Sequence, residues 1–224
     1  ARYVYGMSAT IQRGDRQDKK MLMQLGPIRH RYTAKERAQK QGIGHYIYPR
    51  FTRLVDLNPS EGKNPSDYYR LIMQSELRNM QVVSDTIDCV KRGRTPVIMT
   101  KYKEHAQKLY DMLQGAADHV FLLQGGKSLK ERSAIREQMA AVRADESIIL
   151  VAIGQYVGEG FNYPRLDTML LAMPISLEGN VEQHAGRLNR DYEGKKDAII
   201  FDYIDQHVPA LKRMYYKRLR AYKK

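Results

Sequence analysis

The chain has 224 residues, of which 42% are hydrophobic, with one cysteine and a formal net charge of +13. That length holds one α/β domain of ~150 residues plus further material, and the aliphatic content excludes a disordered chain. The absence of any run of ~20 apolar residues excludes a membrane-spanning helix, and so no membrane partner is expected.

No signal peptide is read at the start. Cys89, the lone cysteine, excludes an internal disulfide and suits a reducing, cytoplasmic setting. His and Cys spacing gives no zinc pattern, so no metal is expected on these residues. The charge is uneven. Residues 1–53 carry 12 Lys/Arg against 3 Asp/Glu, residues 54–210 carry 19 against 22, and residues 211–224 carry 7 against none. A near-neutral centre with basic flanks suits a polyanion met at the edges, and equally a basic protein without such a partner.

In chain order, residues 2–6 read as a short strand into a turn, followed by Met7-Ser8-Ala9-Thr10. Residues 18–25 carry Met21, Leu22 and Leu25 at helical spacing and stop at Gly26-Pro27. Residues 28–32 suit a strand, 33–39 a short helix, and 45–55 an extended segment. The turn-rich stretch 56–66 is the linker candidate, dividing the chain into units 1–55 and 56–224. Ser66 is placed to cap the next helix. Helical spacing then continues over 75–90, with Leu77, Met80, Val83, Ile87 and Val90 on one face, until Gly93 ends it.

Beyond this point the period changes. Apolar runs at 96–100, 118–123, 147–152, 167–172 and 197–204 predict five strands. Helices over 104–113, 128–142, 178–189 and 209–222 alternate with them. Such alternation means a mainly parallel sheet covered on both faces, an open three-layer α/β domain. The last helix carries Leu211, Met214 or Tyr215, Leu219 and Tyr222 on one side and basic residues elsewhere. It reads as a packed amphipathic helix with a solvated face, or as a phosphate-backbone contact.

The chemistry concentrates in 181–190. Gln183, Gly186, Arg187 and Arg190 stand at i, i+3, i+4 and i+7, one helix face. Two guanidiniums on one stripe suit a planar, multiply charged oxyanion such as a phosphate. Read alone, the stretch also suits a solvated basic helix. Gly125-Gly126-Lys127-Ser128 mimics the end of a P-loop, but Phe121 stands where its first glycine belongs, so a P-loop is not expected here; the glycines equally suit a tight strand-to-helix turn. Gly158 and Gly160 invite comparison with a dinucleotide loop, yet the third glycine and the later acid are missing. Thr100, with Lys101 and His105 after it, ends a strand by delivering a hydroxyl and a base to the carboxyl edge of the sheet, where ligands of open α/β sheets gather.

Residues 183–190 resemble motif VI (Gln-x-x-Gly-Arg-x-x-Arg) of superfamily 2 helicases and translocases. Ser8-Ala9-Thr10 resembles their motif III, Thr100 and Lys101 motif IV, and Leu123 to Gly126 motif IVa. Residues 149–162 resemble motif V, with Ile153 for the usual threonine and Asn162 for the usual aspartate. The order and intervals cover nearly the whole chain and look most like restriction-enzyme motor subunits and repair-type DNA helicases. The resemblance implies a RecA-like second lobe over 56–224, preceded by the tail of a first lobe over 1–55.

The resemblance further implies that ATP and Mg²⁺ are held mainly by that first lobe, whose P-loop is not in this chain. Arg187 and Arg190 would be arginine fingers. Gln183, Gly158, Gly160 and Asn162 would lie on the nucleotide side, and Ser8 and Thr10 would couple the lobes. Thr100, Lys101, Gly125, Gly126 and Gln155 would meet DNA or RNA. Alone, the chain is expected not to hydrolyse ATP. A non-catalytic RecA-like module binding nucleic acid or protein is the alternative, supported by Ile153 and Asn162.

Overall fold

Parallel strands covered on both faces have no polar side to show, so they read as unbroken apolar runs. A computed structural model of the chain describes residues 4–6, 18–30, 42–58, 63–125, 129–154, 163–174, 188, 192 and 194–222. Its elements are α1 (Asp18–Leu25), β1 (Gly44–Phe51), α2 (Pro65–Gln74), α3 (Glu76–Lys91), β2 (Pro96–Thr100), α4 (Lys103–Met112), β3 (His119–Leu123), α5 (Leu129–Ala141), β4 (Ile148–Ile153), β5 (Thr168–Leu171), β6 (Asp197–Ile204) and α6 (Pro209–Tyr222).

The sheet has six strands in the order β1-β6-β5-β2-β4-β3, every pair parallel. All residues of β2, β4 and β5 are buried. On one face Val97, Met99, Leu150, Ala152, Met169 and Leu171 pack with Met139 of α5 and with Leu188. On the other, Ile98, Ile149, Val151 and Leu170 pack with Val82 of α3 and with Ala106 and Leu109 of α4. A third cluster sits beyond the strand ends, where Leu54, Tyr69, Ile72, Met173, Val208 and Leu211 meet. The result is the three-layer α/β architecture expected from the alternation of runs.

Four local expectations change. The sheet has six strands instead of five, because the extended segment after residue 42 pairs in register with β6 from Gly44↔Asp197 to Phe51↔Ile204. Five successive residues of β1, His45 to Pro49, face solvent. An edge strand in that position buries too little to leave an apolar run, and Pro49 is tolerated there because an edge needs no second ladder. Residues 28–30 form no strand.

Helix α2 begins at Asn64, not Ser66: Pro65 takes the first turn, and the Asp67 carboxylate accepts a hydrogen bond from the Asn64 N–H at 2.9 Å. Finally, α3 is rotated partway from the expected face: Val83, Ile87 and Val90 pack half-buried against the core as expected, but the first turns do not. Leu77 and Met80 are 72% and 57% exposed, whereas Arg78, Asn79, Val82, Asp85, Thr86 and Cys89 are buried. Burial pushes the Cys89 thiol up to about 11, which makes it a core residue of low reactivity.

Candidate functional site

Strand connectivity selects a crevice. The chain leaves β2 toward β3 on one side and leaves β5 toward β6 on the other, while β2 and β5 are neighbours. Ligands of open α/β sheets collect at such a switch point, beyond the carboxyl ends of the strands. Thr100, Lys101 and Tyr102 stand on one side of it, and Ala172 and Met173 on the other. In the described residues Tyr69 and Ile72 of α2 and Met173 close the floor, with Tyr102 packed against them.

Thr100 is 5% exposed and turned inward. Its hydroxyl lies 2.7 Å from His105 Nδ1, and His105 Nε2 lies 3.0 Å from Asn79 Oδ1. Asn79 donates its own amide hydrogen to the Met73 carbonyl at 2.9 Å. The Asn79 oxygen is therefore the acceptor, His105 carries its proton on Nε2, and Thr100 donates to Nδ1. Burial, with the positive charges of Arg78 and Lys108 adding to it, pushes the His105 pKa down to about 3. This histidine is a neutral spacer rather than the base at the edge that the sequence suggested.

The Thr100 carbonyl accepts from Gly154 N–H at 3.1 Å. Thr100 thus anchors the point where β4 passes into residues 155–162. Lys101 is the exposed member of this strand end. Its ammonium sits 4.5 Å from the centroid of the Tyr69 ring and 5.7 Å from that of Tyr102. A cation held over aromatic faces is oriented, which suits it to meet a phosphate.

Gly125 is buried at the end of β3. Beside it the Gln124 side-chain oxygen has no hydrogen-bond partner among the described residues. Gln124 lines an open cleft of about 590 Å³ with Lys103, Glu104, Gln107, Lys108, Asp111 and Met112 of α4. Sequence reasoning missed Asn79, Gln124 and the two tyrosines under Lys101. Gln124 lies inside the motif IVa segment and Tyr102 beside Lys101, but neither carried a sequence signal of its own; Asn79 and Tyr69 are brought there only by contacts across the fold.

The same edge is braced by ion pairs. Arg78 donates to Asp205 at 2.8 Å and to the Ala172 carbonyl at 2.7 Å, while Thr52 donates to Asp205 at 2.6 Å. One guanidinium therefore ties α3 to the ends of β5, β6 and β1. Arg50 makes a two-pronged contact with Asp85 at 2.9 and 2.7 Å, and Tyr203 donates to the same carboxylate at 2.9 Å. Burial and the neighbouring Asp85 charge raise Tyr203 well above the usual tyrosine range, so it stays a donor.

Of the residues assigned to function from sequence, Thr100, Lys101 and Gly125 are thus located. Ser8, Thr10, Gly126, Gln155, Gly158, Gly160, Asn162, Gln183, Arg187 and Arg190 lie outside the described residues. Ile153, the departure from the motif V threonine, is 7% exposed and packs in the apolar core beside α4. Leu188 is helical, 1% exposed and part of the opposite core.

This architecture is a superfamily 2 helicase-like RecA fold. It superposes on the crystal structure of T4 UvsW with a TM-score of 0.61 at 18% identity, over 82% of this chain and 40% of that one. In sequence the chain is 22% identical to the ATP-dependent DNA helicase UvsW of Enterobacteria phage T4 over 145 residues, 65% of this chain and 28% of UvsW. It is 25% identical to transcript termination protein A18 of fowlpox virus over 177 residues, 75% of this chain and 37% of that protein. The chain thus spans roughly a third of the length of these curated relatives. It belongs to the family of uncharacterized protein 108L of Invertebrate iridescent virus 3, to which it is 37% identical over 79 residues, 34% of this chain and 69% of that one. No family model matches. The chain is a helicase-related RecA-like module, and among the described residues no helix is long and apolar enough to cross a membrane.

Proposed function

We propose that this chain is the second RecA-like lobe of an ATP-dependent DNA translocase or helicase of the restriction-motor and repair type, working in the cytoplasm. In this reading residues 1–55 hold the tail of a first lobe and the linker, β1 joining the second lobe's sheet, and that first lobe grips ATP and Mg²⁺. Arg187 and Arg190 reach across the cleft to the γ-phosphate. Gln183, Gly158, Gly160 and Asn162 line the nucleotide side, and Ser8 and Thr10 couple hydrolysis to lobe closure. Lys101, Gly125, Gly126 and Gln155 meet the DNA backbone, with Thr100 setting the strand end that presents them.

The observation that carries the reading is Leu188, helical and sealed in the core. Were the helix to run through 183–190, at 100° per residue Arg190 and Gln183 would fall roughly 160° and 140° from Leu188 and Arg187 about 100° from it, a stripe turned away from the buried side. A buried Leu188 therefore supports an outward-facing guanidinium stripe. An arginine finger stabilises the charge spread over the transferred phosphoryl and is worth ~10³–10⁵ in rate. In the complete polypeptide, Arg187→Ala and Arg190→Ala should each cut ATP turnover by ~10³-fold or more while DNA binding persists. Retention of turnover in both variants would sink the assignment. The 224-residue chain alone should show no DNA-stimulated phosphate release.

A second reading, a non-catalytic nucleic-acid or protein-binding module, draws on one specific observation. The Ile153 side chain is buried in the core, so it offers a phosphate no contact. That reading requires the complete polypeptide to lack ATP turnover before any substitution.

A further inference from the structure

We infer that helix α6 is a second nucleic-acid-binding surface, taking the phosphodiester backbone of a single strand, separate from the loops at the switch point. The inference rests on the helicase reading only for the class of polyanion. Lys212, Arg213, Tyr216, Lys217 and Arg220 are all exposed, and their spacing of i, i+1, i+4, i+5 and i+8 makes one continuous stripe. The helix contains no acidic residue. Among the described residues none of the four exposed cations takes part in an ion pair; Arg218 does, bound on the inner side to Asp202 at 2.9 and 2.8 Å.

The opposite side of the helix is locked. Leu211 and Val208 lie in the third core cluster with Met214 packed against it, and Tyr222 donates to Asp202 at 3.0 Å. The stripe is therefore held in one orientation. Helix electrostatics do not explain it, since cations are favoured at a carboxyl terminus and Lys212 and Arg213 sit near the amino end.

Geometry suits a phosphate ladder. Lys212 and Arg220 are eight residues apart, ~12 Å along the axis. A strand stacked in helical geometry carries one phosphate per ~3.4 Å of rise, so against such a strand four cations span three to four phosphates. Tyr216, 50% exposed and 5.8 Å from Tyr215, gives the stripe a flat aromatic face on which a base can stack. A lipid surface would require the apolar side of the helix to be free, and here that side is in the core. The inner end of α6 also shares its cluster with Tyr69, the ring beneath Lys101, so the stripe and the switch-point edge flank one packed unit.

The test is fluorescence anisotropy of a labelled single-stranded oligonucleotide with the 224-residue chain, without nucleotide, from about 50 to 200 mM salt. The combined variant Lys212→Gln, Arg213→Gln, Lys217→Gln and Arg220→Gln should weaken binding more than tenfold and flatten the log–log salt slope by ~3, at ~0.7 per strand phosphate. Tyr216→Ala should weaken binding by roughly fivefold or more with the slope unchanged. All five side chains are exposed, and circular dichroism verifies that the fold is kept.

An unaltered slope and affinity in the combined variant would overturn the inference. So would wild-type binding to phosphatidylserine vesicles or polyglutamate as tight as to the oligonucleotide. Failure here leaves the arginine-finger assignment standing, because that one is read as ATP turnover. Loss of the finger assignment leaves the α6 result unchanged, because it is read without nucleotide.

Discussion

Helices α3 and α6 each drive one arginine into the protein and bind it to an aspartate at the end of β6, Arg78 to Asp205 and Arg218 to Asp202. All four side chains are 1–2% exposed. The outer surfaces are nevertheless opposite in character. Helix α3 turns Leu77 and Met80 to water, whereas α6 turns Lys212, Arg213, Lys217 and Arg220 outward. An amphipathic pattern would have oriented α6 correctly and α3 only in part: Val83, Ile87 and Val90 pack against the core, Leu77 and Met80 do not. The contrast teaches that a buried ion pair outranks a few exposed apolar groups, even though Arg78 Nη2, Asp205 Oδ2 and Arg218 Nη1 have no hydrogen-bond partner among the described residues. Leaving one member of such a pair unpartnered costs ~3–5 kcal/mol, while an exposed leucine costs little against its unfolded state.

The comparison breaks most visibly at α3. Arg78→Ala strands Asp205 in the core and should cost ~3–5 kcal/mol in chemical denaturation, whereas Arg78→Met combined with Asp205→Leu should recover much of that loss. An Arg78→Ala cost under ~1 kcal/mol would mean that the apolar stripe, not the ion pair, orients the helix. Arg218→Ala should cost a similar but somewhat smaller amount, because α6 lies against β6 at one margin of the fold.

The neutral chain beside these pairs sharpens the contrast through pH. Folded His105 titrates at about 3, and the unfolded imidazole near ~6.5. Between those values the unfolded chain binds the additional proton, so stability rises with pH across this window and is lost as pH falls through it. Chemical denaturation from pH 7 down to pH ~4.5, above the usual carboxylate range, should show a decline on the order of 2–3 kcal/mol. His105→Gln should flatten that decline even if it lowers stability overall. An unchanged slope would dismiss His105 as its source. The smallest effect belongs to the exposed face of α3, where Leu77→Gln and Met80→Gln should each stay within ~0.5 kcal/mol of the parent.

Legibility in the sequence followed burial. Strands β2, β4 and β5 are completely buried, so their residue types are constrained on both faces and the runs stand out. Strand β1 pairs along its whole length with β6 but buries few side chains. What makes it part of the sheet is backbone pairing, which leaves no mark on residue type. For the site, Thr100 and Lys101 were readable as a strand end at the ligand edge. The inward turn of the Thr100 hydroxyl was not, because its partner chain runs through His105 to Asn79, on a helix that precedes the strand.

The residues alone determined the alternation of apolar runs and helices, hence a parallel three-layer sheet, and the order of the motif-like segments along it. Period and composition suffice for that, because a strand covered on both faces admits few side chains. Only the tertiary structure decided that β1 completes the sheet, that α3 buries Arg78 instead of Leu77, and that His105 is neutral. Each of these depends on a partner dozens of residues away, Asp197 to Ile204 for β1, Asp205 for Arg78 and Asn79 for His105. Local periodicity carries no information about which distant group will be there to satisfy a charge or a hydrogen bond.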